Sequence, residues 1–272
     1  MTLSLALLAL GVLAYGVAGA QLTTGSRDAA GALRSLAWWS GTALQGVGFL
    51  LTFVARHELP LLLVQAGVVG ALGVTAAVQS VRGVARLSSY DVAAVAGLVV
   101  GLALLAVSSE TGPAPDARPE HIGVLLLVLA PVLAGMSRGW PAVVFGALAG
   151  TAFGVGAVAA RVLVAKLDVL LTWPVPLSGA DLAAGVLVVA SLGLGQLNLT
   201  RGLGRGHPVA VLGSMYAAST VVPAAIGWLM LGEHPRQGTE WAMAAALVLT
   251  AVAAARLLRL EDTAGGTWAP SR

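Results

Sequence analysis

The chain has 272 residues, of which 58% are hydrophobic and only 10% charged, with a net charge of +3 and a mean hydropathy of +0.90. A soluble domain carries roughly 25% charged residues, so a water-soluble fold of this length could not hide so much apolar surface. The absence of cysteine excludes disulfides, cysteine-based metal sites and thiol catalysis, and the basic residues stand singly or in pairs, with no run suited to nucleic acid.

Nine stretches of 15 residues or more contain no Asp, Glu, Lys or Arg: 1–26, 35–55, 59–81, 92–109, 121–137, 139–160, 182–200, 206–232 and 241–255. A bilayer core about 30 Å thick needs roughly 20 apolar residues per helix. Runs such as 182–190 and 124–129 do not alternate as barrel strands would, so helices are expected. Spans are placed at 2–20, 36–55, 60–80, 90–108, 121–137, 140–161, 181–199, 208–231 and 240–258. The first ends in Ala18-Gly19-Ala20, which resembles a signal-peptidase site. No Lys or Arg precedes it as a signal peptide's basic region requires, so an uncleaved span is expected. Residues 110–120 hold Pro113, Pro115 and Pro119 and read as an exposed loop. In 162–179, Trp173-Pro174-Val175-Pro176 predicts an extension of the sixth span, then an interfacial turn. The tail 261–272 is polar and is expected to be loose.

The last four spans echo the first four. Arg56-His57-Glu58-Leu59-Pro60 leads into the third span as Arg205-Gly206-His207-Pro208 leads into the eighth, and Gly46-Val47-Gly48 matches Gly193-Leu194-Gly195. Corresponding spans are five apart, an odd number, so the copies are inverted, which is a construction rule of secondary transporters. The expected organisation is a first repeat at 1–109 (spans 1–4), a loop and connector span at 110–139, a second, inverted repeat at 140–260 (spans 6–9) and a polar cytoplasmic tail at 261–272. One side of such a topology holds Arg56, Arg118, Arg161, Lys166 and Arg236; the other holds the remaining ten basic residues. Positive-inside then places the N-terminus outside and the C-terminus in the cytoplasm.

All 12 acidic residues lie at span ends or in loops, and His57, His121, His207 and His234 flank spans without clustering. Neither catalysis nor a metal site is expected. The candidate substrate-binding residues are uncharged: Gln45, Gln65, Gln196, Asn198, Ser214 and Tyr216. They fall in spans 2, 3, 7 and 8, which the repeat brings together. Ser219 and Thr220 share span 8, where Pro223 frees a carbonyl. Gln65 and Tyr216 lie five and eight residues past Pro60 and Pro208, and so approach mid-membrane from opposite surfaces. Gly146-xxx-Gly150-xxx-Gly154 and Gly67-xx-Gly70-xx-Gly73 read as close-packing faces. Trp38-Trp39 reads as part of an aromatic belt.

At these residues the chain resembles the drug/metabolite transporter superfamily, in its EamA-like and NIPA-like magnesium-transporter branches. Trp38-Trp39-x-Gly41, Gly48, Ala55 and Pro60 with Leu63-Val64 are similar to the NIPA pattern around its second and third spans. Gln196-Leu197-Asn198-Leu199, Pro208 and Leu231-Gly232-Glu233 are similar to its second half. The departures are Phe49 where that pattern carries Glu, Arg56 in place of its Tyr, and Ala66-Gly67-Val68 in place of Pro-Leu-Gly. Magnesium wants oxygen ligands, usually carboxylate, so weak or absent magnesium transport is expected.

The sequence therefore predicts an all-α integral membrane protein of about nine transmembrane helices, two inverted four-helix repeats joined by a connector. The expected function is a small-solute permease working by alternating access; the alternatives are a NIPA-like divalent-cation transporter and a non-transporting membrane subunit. No enzyme activity, cofactor or nucleic-acid partner is expected. The expected partners are membrane lipid, a small-molecule or ion substrate, and a second copy in a homodimer. The expected location is the plasma (inner) membrane, crossed several times.

Overall fold

The computed structural model describes residues 2–59, 61–82, 89–108, 116–137, 139–164, 177–230, 236–246, 248–249 and 252–253. Their regular structure is helical throughout. The long helices are α1 (Thr2–Ser26), α2 (Leu36–Ala55), α3 (Leu61–Val81), α4 (Ser89–Ser108), α5 (Pro119–Gly135), α6 (Ala142–Val164), α7 (Gly179–Arg205) and α8 (Pro208–Met230). A 3-10 turn, Ala32–Arg34, precedes α2, and residues 240–246, 248–249 and 252–253 are helical too. Pro60, residues 165–176 with Trp173, most of the 110–120 loop and the tail 261–272 lie outside the described residues.

Local chemistry sets several ends. Ser178 and Asp181 form a reciprocal capping box at the start of α7: the Asp181 amide donates to Ser178 Oγ at 3.2 Å, and the Ser178 amide donates to Asp181 Oδ2 at 2.8 Å. Pro119 and Pro208 open α5 and α8, where a missing amide hydrogen costs nothing. α1 and α7 outlast their expected spans, running to Ser26 and Arg205. The apolar run measures bilayer thickness, whereas a helix continues until its backbone finds other partners.

The burial pattern and the apolar helices point to membrane association. α1, α6, α7 and Ala210–Met230 of α8 are each long and apolar enough to cross a bilayer. Large apolar side chains face outward, with Leu127 71% and Leu229 77% exposed, while Arg56, Ser191 and Asn198 are buried. A water-soluble monomer does not present such apolar faces. The chain is an all-α protein of membrane-associated character.

Helix packing follows the small residues. α1 packs chiefly on α2 and α3, α6 chiefly on α7 and α8, and α3 on α4; contact between these groups is much sparser. The glycine stripe of α6 is a backbone-to-backbone contact with α8. A methyl on Gly146 would fall on Ser214 Oγ and the Val211 carbonyl, one on Gly150 on the Met215 carbonyl, and one on Gly154 would lie 3.0 Å from Pro223 Cδ. On α3, Gly67 admits Leu8 of α1, and on α1, Gly19 admits Thr75 of α3. Such closeness is the main source of dispersion energy between helices in lipid, where no hydrophobic drive exists.

Candidate functional site

A cavity of about 360 Å³ lies where α1, α2, α3, α6, α7 and α8 converge. Three helices line it with one face each at i, i+3, i+4, i+7 spacing. These are Tyr15, Ala18, Gly19 and Leu22 on α1; Thr42, Gln45, Gly46 and Phe49 on α2; and Leu212, Met215, Tyr216 and Ser219 on α8. α7 contributes Leu192, Gly193, Gln196 and Leu199, α3 contributes Val68, and α6 contributes Phe153 and Ala157. The lining is mostly apolar with a few amides and hydroxyls, the usual make-up of a small-molecule site.

Of the residues singled out from sequence, Gln45, Gln196 and Tyr216 line this cavity together. Gln196 Nε2 donates to Thr42 Oγ1 at 3.0 Å across the gap between α7 and α2. Trp38 Nε1 donates to Thr200 Oγ1 at 2.9 Å between the same helices. α2 and α7 otherwise make little direct packing contact, so these polar bonds bridge them. Gln45 Oε1 is buried in the lining and accepts no hydrogen bond from the protein.

Two candidates face elsewhere. Ser214 Oγ donates to the carbonyls of Val143 and Val211, each at 2.9 Å, tying α8 to α6. Asn198 is fully buried, and its Nδ2 donates to the Leu194 carbonyl at 2.9 Å within α7. Neither belongs to the cavity lining. Gln65 stands in α3, but its side chain lies outside the described residues. Ser219 lines the cavity and Thr220 does not; both hydroxyls donate to the Tyr216 carbonyl in the turn before Pro223. Trp39 is exposed, as a belt residue would be, whereas Trp38 is buried between helices.

The residue that sequence reasoning missed is Arg56. It is the C-cap of α2, a position that reads as a loop charge, yet it is 2% exposed and lines the cavity. Its guanidinium sits 5.6 Å from the centre of the Phe49 ring. Phe49 is seven residues back along α2, roughly 10 Å of helical rise. The charge therefore turns inward along its own helix, where an arginine at a span end would ordinarily snorkel out to water. A signal was present in the sequence: Arg56 lies seven residues, two helical turns, beyond Phe49 on the 42, 45, 49 stripe that faces the cavity. A second buried arginine supports it. Arg161, near the end of α6, donates from Nη1 to the Arg56 carbonyl at 2.9 Å. Arg27, just beyond α1, caps α7 in the same way, donating to the carbonyls of Leu203 at 3.0 Å and Gly206 at 2.5 Å.

No family model, curated protein or solved structure matches the chain. The functional reading therefore rests on the cavity and its residues.

Proposed function

We propose that the chain is a secondary transporter that moves a small solute by alternating access between two inverted four-helix repeats. The repeats are α1–α4 and α6 through the helix that begins at residue 240, with α5 as connector, which gives nine spans. The observation that carries this reading is the cavity's matched lining. Gln45, Gly46 and Phe49 of α2 and Leu192, Gly193 and Gln196 of α7 face it at identical spacing, from the two glycine motifs that echo each other in sequence. Midplane sites at the seam between inverted repeats are the rule in such carriers. Two further features support it. Each repeat's first helix packs on its second and third, and the arginine near the end of each first helix caps the second helix of the other repeat.

The test needs no knowledge of the substrate. A Cβ at Gly46 or Gly193 meets nothing within 4 Å, so each accepts a cysteine in this cysteine-free chain. Gly46→Cys and Gly193→Cys should react with a membrane-impermeant thiol reagent applied to either face of reconstituted vesicles of known orientation. Oxidising a Thr42→Cys/Gln196→Cys pair should close access from one face. Thiols reached from a single face in every condition would refute alternating access and favour a non-transporting subunit. A divalent-cation carrier is the weaker reading, because among the described residues no carboxylate lines the cavity and Arg56 does.

A further inference from the structure

We infer that the cavity is an anion site, in which Arg56 receives the oxyanion of a small organic acid, a carboxylate or a phosphate monoester, while the acid's apolar body lies along Leu22, Leu199, Leu212 and Met215. The inference deepens the transport reading above and rests on it for the word substrate.

Three observations carry it. First, Arg56 Nε and Nη1 are buried and make no hydrogen bond, so the guanidinium holds unused donors in a cavity wall. An uncompensated buried charge is strongly unfavourable, and a bound anion is the group that would relieve it. The guanidinium fork suits a carboxylate or phosphate through paired hydrogen bonds. Second, no carboxylate among the described residues competes for it. Glu58 accepts from Ser4 Oγ at 2.5 Å, Asp181 is engaged in the capping box of α7, and neither lines the cavity. Arg161 adds a second cation beside the Arg56 backbone rather than a counter-charge. Third, the direction of the side chain is inward: its guanidinium rests over the Phe49 ring, and Phe49 stacks on Phe53 with ring centres 6.3 Å apart. A cation kept only for topology has no reason to lie there. The rest of the lining, with leucine, methionine and aromatic side chains and the amides of Gln45 and Gln196, suits an acid with an apolar body better than an inorganic ion.

The experiment reads the cavity's charge preference directly. The full-length Gly193→Cys chain, reconstituted in vesicles, is labelled with a sulfonate-bearing and a trimethylammonium-bearing methanethiosulfonate. Each rate is divided by the rate with a free thiol in solution. The anionic reagent should be favoured by roughly tenfold, the effect of one nearby cation at an intermediate dielectric. Arg56→Gln in the same background should bring the ratio close to one, and Arg56→Lys should preserve a preference. Benzoate or phenyl phosphate should slow the labelling where benzamide does not, and the stronger of the two identifies the oxyanion. A ratio of one with Arg56 intact would overturn the inference. So would a ratio unmoved by Arg56→Gln, or benzamide protecting as well as both anions, or protection by neither anion. If Arg56→Gln does not fold, the measurements on the Arg56-bearing chain decide alone. Labelling confined to one face with the anion preference intact would remove transport and leave the anion site. Access from both faces with no preference would do the reverse.

Discussion

Gln45 and Gln196 line one cavity from facing helices, yet their amides stand in opposite situations. Gln45 Oε1 is buried without a partner, whereas Gln196 is bonded to Thr42. A buried polar atom left unpaired costs about 1–3 kcal/mol, so Gln45→Leu should stabilise the empty protein by about 1 kcal/mol, and Gln196→Leu should destabilise it by a similar amount. Thermal unfolding in detergent checks both signs; a destabilising Gln45→Leu would mean its amide already has a partner. Tyr216→Phe removes a hydroxyl from a buried cavity residue and should weaken ligand binding by about 1–3 kcal/mol with little loss of folded protein, measured by thermal shift or uptake. Magnesium uptake into vesicles should be weak or absent, since among the described residues no carboxylate lines the cavity and Arg56 does; robust uptake would exclude the present assignment of the cavity. At this scale the sequence was legible where polarity stood out against charge-free surroundings, as with Gln45, Gln196 and Tyr216. It was not legible where rotation about the helix axis decided, as with Asn198 and Ser214. Arg56 was hidden because its position at a span end says nothing about which way a long side chain turns.

Helices are bounded by different physics at their two kinds of end, and that explains which limits could be read in advance. α2 and α4 stop where the apolar run stops, and they match expectation to within a residue. α7 runs past its charge-free stretch because its last turns are held from outside: Arg201 donates to the Met136 carbonyl at 3.0 Å and Arg27 caps the final carbonyls. The glycines of α6 were legible as a packing face, but their partner was not, since a stripe of small residues does not name the helix it touches. The structure names α8. Gly150→Ala would push a methyl onto the Met215 carbonyl and should cost about 1–3 kcal/mol. Gly123→Ala on α5, where a methyl meets nothing within 4 Å, should be neutral or stabilise by about 0.5 kcal/mol through the better helix propensity of alanine. Equal effects of the two substitutions on unfolding in detergent would show that α6 and α8 do not approach as described.

For the whole molecule, the proposed repeat rests on two short glycine motifs that echo each other in sequence, and residues of both motifs line one cavity. The proposed orientation rests on the count of loop charges, and burial changes which arginines belong in it. Two of the five basic residues that the proposed topology assigns to the sparser side, Arg56 and Arg161, are buried. That leaves Arg118, Lys166 and Arg236 against ten on the other side, of which Arg27 alone among the described ones is engaged in helix capping between the halves. The stronger asymmetry predicts an external N-terminus. Ala114→Cys should accordingly be modified by an impermeant reagent added outside intact cells, and modification only after permeabilisation would invert the topology.

The match between the halves fails at one point. Seven residues beyond Phe49 stands Arg56, and seven beyond its counterpart Gln196 stands Leu203. A carrier built from two equivalent halves would rest equally well facing either way. Arg56 lines the cavity and Leu203 does not, and a charge held in the cavity wall of a membrane under voltage would remove that equivalence. Each conformational swing of the unloaded protein carries the charge through part of the field, worth up to about 2.3 kcal/mol per 100 mV for a full crossing. Once an anion neutralises Arg56, the loaded swing would lose the share of that bias that Arg56 carries. Membrane potential would then act on the return of the empty carrier alone, so the slow step of the cycle, and with it the preferred direction of flux, would follow the cell's electrical state with no coupling ion involved.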